Sequence, residues 1–454
     1  MAWSREETIS RDDMRKIQLG KLQKTVGYVH GRNAVYRKWL DGANVKPGDI
    51  HSLDDIRKLP LTTKQHIRDQ YPFGLFSASM ADIVEFHATS GTTGKPVMVP
   101  YTRNDIELWT EVMARACTGA GITKNDIVQN IYGYGLFTGG LGTHYGAIRI
   151  GATVLPMSGG NSQRQIMLMQ DLGCTVVTAT PSFLMHLYEV GEQMGVDFRK
   201  LKLRIGLFGA EPWSESMRLA IEEKFGLKAC DMYGLTEMIG PGVSFECHEV
   251  RNGLHVNEDF FYPEVIHPET CEPLPPGEKG ELVLTTIGNE GMPLLRYRTR
   301  DITRLDYGAC DCGRTLVRME RISGRTDDML IIRGVNFFPS QIESIILKRE
   351  GVSPHYMVVV DRQGSMDEVE VRIEVTEEFM AKAGADVLKG SEQEILKDVA
   401  TARKKIDNLK RDIKDMVGIS AKVTLVPPGT IPRSEGKAKR VEDRRPKGIR
   451  TGLA

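Results

Sequence analysis

Short apolar runs alternate with helical stretches from about residue 150 onward, and this rhythm constrains the fold more than any other feature of the sequence. Stretches of helical periodicity, such as 182–194 and 214–225, separate runs at 152–156, 174–179, 203–208 and 228–232. Buried parallel strands joined by crossover helices produce this pattern. The sequence therefore predicts an α/β fold built on a largely parallel sheet.

The chain opens with a predicted amphipathic helix. Ser10 and the following acidic residues have the spacing of a helix cap. Apolar residues then recur at near-helical intervals, at Met14, Ile17, Leu22, Val26 and Val29.

A second, smaller unit is predicted to begin near residue 327. Apolar and polar residues alternate from Val369 to Val375, which is typical of a half-buried strand. Ser391 and Glu394 then open a helix that Gly418 closes, and residues 421–426 form another strand. We therefore predict a large N-terminal domain over residues 1–326 and a small α+β C-terminal domain over residues 327–454.

Length and composition narrow the class of protein. The chain has 454 residues, more than one hydrophobic core usually serves, and its formal net charge is +0. This balance gives no reason to expect a nucleic acid or a membrane as the main partner. The charged start lacks a signal peptide, and the seven cysteines are odd in number and unevenly spread. We expect a cytoplasmic protein.

A glycine-rich segment is the most informative stretch for function. Its small and hydroxylated residues let backbone N–H groups and hydroxyls surround phosphate oxygens, and its lysine adds positive charge. The residues are Ser90, Gly91, Thr92, Thr93, Gly94 and Lys95. It is not a Walker loop, because its glycines are too closely spaced and Pro96 follows the lysine. By composition alone, a flexible surface loop is the alternative.

Six segments, in order along the chain, resemble the motifs of the adenylate-forming superfamily, which includes acyl-CoA synthetases, luciferases and peptide-synthetase adenylation domains. The glycine-rich segment resembles the phosphate loop of that superfamily. The other five are Gly209-Ala210-Glu211-Pro212, Asp231-Met232-Tyr233-Gly234-Leu235-Thr236-Glu237, Tyr297-Arg298-Thr299-Arg300-Asp301, Gly324-Arg325-Thr326-Asp327-Asp328 and Arg433-Ser434-Glu435-Gly436-Lys437.

Within the superfamily, the chain is most similar to the phenylacetate–CoA ligase branch, over essentially its whole length. The segments that carry this similarity are residues 132–140, residues 333–343, the arginine before Asp301 and the start at residues 3–7. The resemblance implies a large adenylate-forming domain, a small mobile C-terminal domain, and an ATP-dependent ligase that adenylates an aryl acid and transfers it to coenzyme A.

The resemblance also implies roles in adenylation, in which the acid attacks the α-phosphate of ATP and expels pyrophosphate. Lys95 and the loop hydroxyls would hold pyrophosphate, Glu237 would bind Mg²⁺, and Lys437 would bridge the carboxylate and the α-phosphate. The nucleotide would be held by residues 90–94, Gly209, Ala210, Glu211, Pro212, Asp231, Met232, Tyr233, Gly234, Thr236, Asp301 and Arg325. Taken singly, Glu237 could be a solvated carboxylate and Lys437 part of a solvated basic run.

The second step would form a thioester with the pantetheine thiol of coenzyme A. The resemblance implies that the small domain rotates between the two steps, with Asp327 as the pivot and Gly334 beside the pantetheine tunnel. A plain turn and a simple bend are the structural alternatives for these two residues.

Tyr132, Phe137 and Thr143 would line the acid pocket by resemblance, and two aromatic residues among glycines suit a flat ring. Ordinary core packing is the alternative for each aromatic residue. Relatives specific for phenylacetate commonly have alanine where this chain has Thr143, so the sequence leaves the acid itself open, as it does the metabolic pathway; phenylacetate catabolism is the one that the branch suggests.

A structural zinc site is also predicted. Cys310 and Cys312 form a close pair of thiols, and Cys247, His248 and His255 lie upstream. Two cysteine-containing segments of this kind can assemble a tetrahedral zinc site. We predict Cys247, His255, Cys310 and Cys312 as ligands, with His248 in reserve; a set of reduced thiols is the alternative.

Two rival functions remain at this stage. The adenylyl group could pass to another acceptor, as in some archaeal relatives thought to adenylylate a deazaflavin. The cysteine cluster and the basic tail from Arg440 to Arg450 could instead mark a nucleic-acid module, which the neutral charge and the nucleotide motifs disfavour. The expected partners are therefore a small carboxylic acid, ATP and coenzyme A, with no nucleic acid and no membrane. A homodimer is one option for the oligomeric state.

Overall fold

The structure is a computed structural model that describes residues 2–89, 96–326, 330–332, 335–363, 366–383, 400–433 and 438–445. The chain divides into two compact units. The first unit comprises Met1–Ala179, Arg199–Ala210 and Leu227–Ile322, and the second comprises Thr180–Phe198, Glu211–Gly226 and Ser323–Ala454. The predicted domain boundary at residue 327 stays a prediction.

The helices of the first unit are α1 (Arg11–Arg32), α2 (Ala34–Gly42), α3 (Lys64–Asp69), α4 (Arg103–Gly119), α5 (Thr138–Arg149) and α6 (Ser162–Asp171). Short 3₁₀ helices lie at Arg5–Thr8, Pro47–Asp49, Leu53–Lys58 and Thr236–Met238. The predicted cap of α1 is present, because the Ser10 side chain accepts a hydrogen bond from the backbone N–H of Asp13. Satisfying such an orphan donor fixes where the helix begins.

The strands of the first unit are β1 (Ile83–Ala88), β2 (Met98–Thr102), β3 (Ile127–Asn130), β4 (Thr153–Pro156), β5 (Val176–Ala179), β6 (Ile205–Gly209), β7 (Lys228–Leu235), β8 (Gly240–Phe245), β9 (Leu254–Val256), β10 (Phe261–Ile266), β11 (Gly280–Thr286), β12 (Tyr297–Thr303), β13 (Leu305–Asp306) and β14 (Arg318–Met319). Nine of them form one sheet in the order β13-β14-β9-β8-β7-β6-β5-β3-β4.

The half of this sheet from β4 to β7 is parallel, and the half from β7 to β13 is antiparallel. The four apolar runs predicted from the sequence are β4, β5, β6 and β7, so the predicted parallel sheet is confirmed. Strands β5 and β6 are buried along their whole length, which is why they consist of continuous apolar or small residues. Strands β1 and β2 pair antiparallel, as do β10, β11 and β12.

Helices α4 and α5 pack unusually close together. A Cβ atom on Gly142 would lie 2.5 Å from Cζ2 of Trp109, and one on Gly146 would lie 2.5 Å from Cβ of Met113. Only glycine allows this approach, so close packing explains the glycines of α5, although glycine disfavours a helix. The contact sets the position of the loop that precedes α5.

The second unit contains α7 (Pro181–Gln193), α8 (Glu215–Phe225), α9 (Pro339–Ile346), α10 (Glu377–Ala383) and α11 (Ala400–Val417). Its strands are β15 (Gly324–Arg325), β16 (Leu330–Ile332), β17 (Val335–Phe337), β18 (Val352–Gln363), β19 (Met366–Val375), β20 (Lys422–Val426) and β21 (Val441–Asp443). Another 3₁₀ turn lies at Phe198–Lys200, where the two units meet in sequence.

The C-terminal part of the second unit is a small α+β arrangement, as predicted. Its sheet has the order β20-β19-β18-β21, and α9 and α11 pack with it around a separate apolar core. Alternate residues of β19 (Val369, Val371, Ile373 and Val375) are buried. The predicted cap of the preceding helix at Ser391 lies outside the described residues, whereas its end at Gly418 has the expected positive φ of 80°.

Among the residues that the structure describes, no helix combines the length and the apolar character needed to cross a bilayer.

Candidate active site

Several predicted site residues lie outside the described residues, so their roles stay predictions. They are the glycine-rich loop (Ser90, Gly91, Thr92, Thr93, Gly94 and Lys95), the predicted hinge and tunnel residues Asp327 and Gly334, and the predicted catalytic Lys437.

The carboxyl end of β7 carries the predicted Tyr-Gly-x-Thr-Glu motif. In parallel sheets this edge is where ligands usually bind. Glu237 lies in the 3₁₀ turn that follows β7 and is 5% exposed. Its carboxylate pairs with the ammonium of Lys64 from α3, at 2.9 Å between Nζ and Oε1. A carboxylate oxygen is the kind of ligand that a hard cation such as Mg²⁺ prefers, so Glu237 could hold a metal ion here.

Tyr233 and Asp301 connect two of the predicted nucleotide motifs. The Tyr233 hydroxyl donates a hydrogen bond of 2.6 Å to Oδ2 of Asp301, which lies on β12 and is 5% exposed. The backbone N–H of Asp301 donates to the Thr299 hydroxyl at 3.1 Å. The predicted ribose-binding carboxylate is thus held in one orientation.

Asp231, at the start of the same motif, is held by groups that the sequence motifs do not include. Its carboxylate contacts Nε of Arg321 at 3.3 Å, and its backbone N–H donates to Oε2 of Glu246 at 2.8 Å. Arg321 also lies 3.7 Å from Glu246. These contacts brace the strand that leads into the site.

Two glycines of the motifs are required by close backbone contacts. A Cβ atom on Gly209 would lie 2.2 Å from the carbonyl oxygen of Met232, its register partner on β7. One on Gly234 would lie 2.2 Å from the carbonyl oxygen of Gly240. The strands that carry the two motifs are therefore adjacent, as a shared nucleotide site requires.

Three non-glycine residues in or next to the predicted motifs have a positive φ angle. Ala210 and Arg300 have φ values of +69° and +70°. Ile239, two residues after Glu237, also has φ of +69°, which is a genuine outlier for a β-branched residue. Strained backbone of this kind costs about 1–3 kcal/mol per residue and clusters at functional sites. The remaining motif residue, Thr236, begins the 3₁₀ turn.

The segment after Ala210 belongs to the second unit. Oε1 of Glu211 accepts a hydrogen bond from the backbone N–H of Ser182 at 2.8 Å, and Oε2 accepts one from Ala438 at 3.0 Å. Pro212 is exposed and Arg325 is partly exposed. Within this unit, Glu211 therefore holds the residue that directly follows Lys437 in sequence.

The predicted acid-pocket residues lie around the start of α5. Tyr132 is 6% exposed, Thr143 is fully buried and Phe137 is 54% exposed. A Cβ atom on Gly139 would lie 3.3 Å from the Tyr132 ring, and the Thr143 hydroxyl donates to the Gly139 carbonyl at 2.9 Å. The hydroxyl of Thr143 is thus satisfied within its own helix.

Two polar side chains at the loop from Tyr132 to Phe137, which we name the acid loop after its predicted role, are uncharged and hydrogen-bonded. Burial raises the pKa of Tyr134 to about 12 and lowers the pKa of His144, so both side chains are neutral at pH 7. The Tyr134 hydroxyl lies 3.1 Å from Nδ1 of His144 and accepts a hydrogen bond from Asn130 at 2.8 Å. A Cβ atom on Gly240 would lie 2.7 Å from Cβ of Thr138, so the turn after Glu237 meets the start of α5.

The four predicted zinc ligands come together. The ligand atoms of Cys247, His255, Cys310 and Cys312 all lie within 4.8 Å of one another. Sγ of Cys247 is 3.9 Å from Sγ of Cys310, and Sγ of Cys312 is 3.5 Å from Nε2 of His255. Hydrogen bonds from Cys247 and His255 lower the pKa of Cys312, whereas the bond to Cys312 and burial raise the pKa of Cys247.

His248, the reserve ligand, and Cys271 have other partners. Nδ1 of His248 lies 3.0 Å from the carbonyl oxygen of Gly119 and 3.2 Å from Glu249. Cys271 accepts a hydrogen bond from Arg298 at 3.3 Å. Neither residue belongs to the cluster.

Lys64 and Arg321 were missed by the sequence reasoning. A weak signal for Lys64 existed, since Thr63 precedes it with the character of a helix cap, but a capped short helix is common. The reason for its placement is tertiary: Thr62 pairs with Tyr297 at the start of β12, which brings α3 to the site. Arg321 sits outside any regular element and gave no signal.

Comparisons with known proteins agree with this geometry. The family model of the AMP-binding enzymes matches residues 45–290, and the model of the AMP-binding enzyme C-terminal domain matches residues 334–445. The chain is 49% identical to phenylacetate-coenzyme A ligase of Thermus thermophilus over 440 residues, which is 97% of this chain and 98% of that protein. It is 47% identical to phenylacetate-coenzyme A ligase of Escherichia coli over 440 residues, 97% of each chain.

A solved structure gives the same result for the fold. The crystal structure of 2-hydroxyisobutyryl-CoA ligase in the postadenylation state with 2-HIB-AMP matches with a TM-score of 0.88 at 28% identity. The match covers 97% of this chain and 91% of that chain.

Proposed function

This chain belongs to the AMP-binding enzymes, in the phenylacetate–coenzyme A ligase branch, and we propose that it joins a small aryl acid to coenzyme A through an acyl-adenylate. As a member of that branch it is an AMP-forming acid–CoA ligase that uses ATP and coenzyme A. The chain is similar to phenylacetate–CoA ligases over nearly its whole length, and this observation supports an aryl acid as the substrate. The contacts of Glu237, Tyr233 and Asp301 support adenylation at the carboxyl end of β7.

The first step we propose is attack of the acid carboxylate on the α-phosphate, with release of pyrophosphate. Asp301, fixed by Tyr233, would accept hydrogen bonds from the ribose hydroxyls. Lys95 and the hydroxyls of Ser90, Thr92 and Thr93 would hold the departing pyrophosphate, and Lys437 would neutralise charge between the carboxylate and the α-phosphate. Fixed cations of this kind contribute most when the charge develops in the transition state.

Glu237 fits the role of a Mg²⁺ ligand, because it is a buried carboxylate paired with an ammonium group. When bound, Mg²⁺ would offset the charge of the phosphates. Lys64 would orient the Glu237 carboxylate before the nucleotide arrives.

The second step we propose is attack of the pantetheine thiol on the acyl-adenylate, with release of AMP. It needs no cysteine from the protein. By family resemblance, the C-terminal domain from residue 327 would rotate about Asp327, and Gly334 would lie beside the pantetheine. We place this chemistry in the cytoplasm.

Thr143 offers a test of the acid pocket. Replacing it with alanine removes a methyl group and a hydroxyl from a fully buried position. The kcat/KM for bulkier aryl acids should therefore rise relative to the kcat/KM for smaller ones. Such changes are worth about 1–3 kcal/mol. Thr143→Ser is the matched control, because it keeps the hydrogen bond to Gly139 and removes the methyl group alone. An unchanged ranking of acids in both variants would place Thr143 outside the pocket.

The function as a whole is tested by AMP release in a coupled assay. Aryl, aryl-acetic and short aliphatic acids would be compared at equal concentration, with and without coenzyme A. We expect AMP release that needs both coenzyme A and an aryl or aryl-acetic acid. Equal rates with aliphatic acids would reject the substrate class, and release of pyrophosphate without dependence on coenzyme A would favour a different acceptor.

The rival acceptor, a deazaflavin cofactor, has no support from the relatives named above. Their names state coenzyme A ligation.

We also propose a structural zinc ion bound by Cys247, His255, Cys310 and Cys312. Zinc bond lengths to sulfur and nitrogen imply tetrahedral edges of about 3.8 Å between two sulfurs and about 3.5 Å between sulfur and nitrogen. The observed 3.9 Å and 3.5 Å support this fit. With four protein ligands there would be no open position, so the ion would stabilise the fold and take no part in catalysis.

The zinc proposal predicts about one zinc ion per chain after extensive dialysis. The metal would close a 63-residue loop between Cys247 and Cys310, so its loss should lower the free energy of unfolding. Cys310→Ser combined with Cys312→Ser should abolish zinc binding and lower the unfolding temperature, as measured by elemental analysis and calorimetry. Cys271→Ser is the matched control and should change neither. Absence of zinc from protein purified without chelator would contradict the zinc proposal but not the assignment of the protein as a ligase.

A further inference from the structure

His87 is a buried histidine on β1 that no predicted motif includes. Its side chain is fully buried. The ring of Tyr101 on β2 lies 5.2 Å away and the ring of Trp109 on α4 lies 5.4 Å away, both nearly perpendicular to the imidazole. An ionisable group buried between aromatic rings needs a specific reason, because burial without hydrogen bonds is costly.

Both ring nitrogens of His87 have hydrogen-bond partners. Nδ1 lies 3.0 Å from the carbonyl oxygen of Leu136, which can only accept, so Nδ1 carries a proton. Nε2 lies 2.6 Å from Oε1 of Glu85. The state of the ring therefore depends on whether Glu85 is a carboxylate.

Glu85 has the surroundings of a carboxylate. Its second oxygen, Oε2, accepts a hydrogen bond of 2.9 Å from the Tyr145 hydroxyl of α5, and its side chain is 24% exposed. Burial acts to raise its pKa, but the hydrogen bonds from His87 and Tyr145 outweigh burial and lower the pKa of Glu85. An ionised Glu85 accepts at both oxygens, so Nε2 of His87 is also a donor.

The same contacts connect His87 to the acid loop. The carbonyl oxygen of Leu136 accepts a second hydrogen bond, of 2.9 Å, from the backbone N–H of Ala88. Leu136 directly precedes Phe137, and Tyr145 lies about two turns along α5 from the end of the loop. Strand β1 therefore holds the acid loop at one carbonyl group through two adjacent residues.

We propose that His87 is a positioning residue whose doubly protonated ring, paired with Glu85, holds the acid loop in its binding conformation. The role of the loop rests on the proposed function, whereas the charge state of His87 does not. A charged donor forms a stronger hydrogen bond than a neutral one, so the pair holds the Leu136 carbonyl more firmly than a neutral histidine would. The groups that face the imidazole are Glu85, Tyr101, Trp109 and the Leu136 carbonyl, with Tyr145 beyond Glu85.

The charge state can be tested without an activity assay. In the full-length protein labelled with ¹⁵N-histidine, long-range ¹H–¹⁵N spectra distinguish a ring with two N–H groups from either neutral tautomer. We expect His87 to show two protonated nitrogens at pH 7, with its signals assigned by their change in the Glu85→Gln variant. A signal typical of an unprotonated ring nitrogen for His87 would overturn the proposal.

The positioning role is tested by kinetics. Glu85→Gln keeps the size of the side chain and removes its charge, and His87→Asn removes both ring contacts. We expect the KM for the aryl acid to rise roughly tenfold in each variant, the scale of a hydrogen bond to a charged group, with little change in the KM for ATP. This selective effect would distinguish positioning from a general loss of folded protein.

A matched control is available in the same unit. His30 also pairs with a carboxylate, at 3.4 Å from Asp41, but on the N-terminal helices. His30→Asn should leave the KM for the acid unchanged. If Glu85→Gln affects that KM no more than His30→Asn does, or raises both KM values equally, the positioning role is wrong. A wild-type protein that ligates no aryl acid would reject the proposed function instead, and the spectra would still decide the charge state.

Discussion

Lys437→Ala should abolish formation of the acyl-adenylate from ATP while sparing thioester formation from supplied acyl-adenylate and coenzyme A. Removing a group that stabilises developing charge typically lowers kcat by about 10²–10³-fold. Only the first step develops charge between the carboxylate and the α-phosphate, so only the rate of that step should fall by this factor. Pyrophosphate release measures the first step, and thioester absorbance measures the second.

Lys439→Ala is the matched control for this variant. Lys439 lies two residues further along the same basic run and is exposed. The Lys439→Ala variant should keep the rates of both steps within about twofold of the wild-type rates, because exposed charges contribute little. Equal losses of both steps in Lys437→Ala would contradict the assignment of separate roles and the rotation of the C-terminal domain.

Glu7→Ala should lower the free energy of unfolding by about 3–5 kcal/mol, the range for breaking a buried ion pair. Oε2 of Glu7 lies 2.6 Å from Nε of Arg314, and both side chains are fully buried. Oε1 of Glu7 also accepts hydrogen bonds from the backbone N–H groups of Trp3 and Ser4. Removing the carboxylate leaves a buried guanidinium without its counter-ion. Urea unfolding, followed by tryptophan fluorescence, measures the loss.

Glu6→Ala provides the comparison, since Glu6 is 40% exposed and lies 3.9 Å from Arg115. Its loss should cost less than about 1 kcal/mol. Replacing both members of the buried pair, with Glu7→Leu and Arg314→Met, should recover much of the stability because the guanidinium is removed together with the carboxylate. A Glu7→Ala variant as stable as Glu6→Ala would show that the pair contributes nothing.

Local patterns were read correctly from the sequence. The central parallel strands β5 and β6 are apolar or small throughout because both of their faces are buried, and the alternation in β19 reflects one buried face. The Ser10 cap and the Gly418 terminus follow from hydrogen-bond needs within a few residues. Each of these features depends on residues that are close together along the chain, so the sequence alone was enough to predict it.

The motifs were also visible in the sequence, because the residues of each lie within a few positions of one another. Their mutual arrangement was not visible. Tyr233 meets Asp301 because β7 and β12 approach one another, although 68 residues separate them. Similarly, the choice between His248 and His255 depended on tertiary structure: His255 on β9 meets Cys312, whereas His248 meets the end of α4.

The sequence alone determined the α/β class, which follows from periodicity, and the resemblance of its short motifs to known proteins identified the family and implied the candidate residues. Only the tertiary structure decided which charges are paired: Lys64 with Glu237, Arg321 with Asp231, Arg314 with Glu7, and His87 with Glu85. The first three join distant segments, and the fourth joins strand neighbours whose partners, Leu136 and Tyr145, are distant. The energy of a charge depends on its burial and on its partners, and neither can be read from residue identity until the strand order is known.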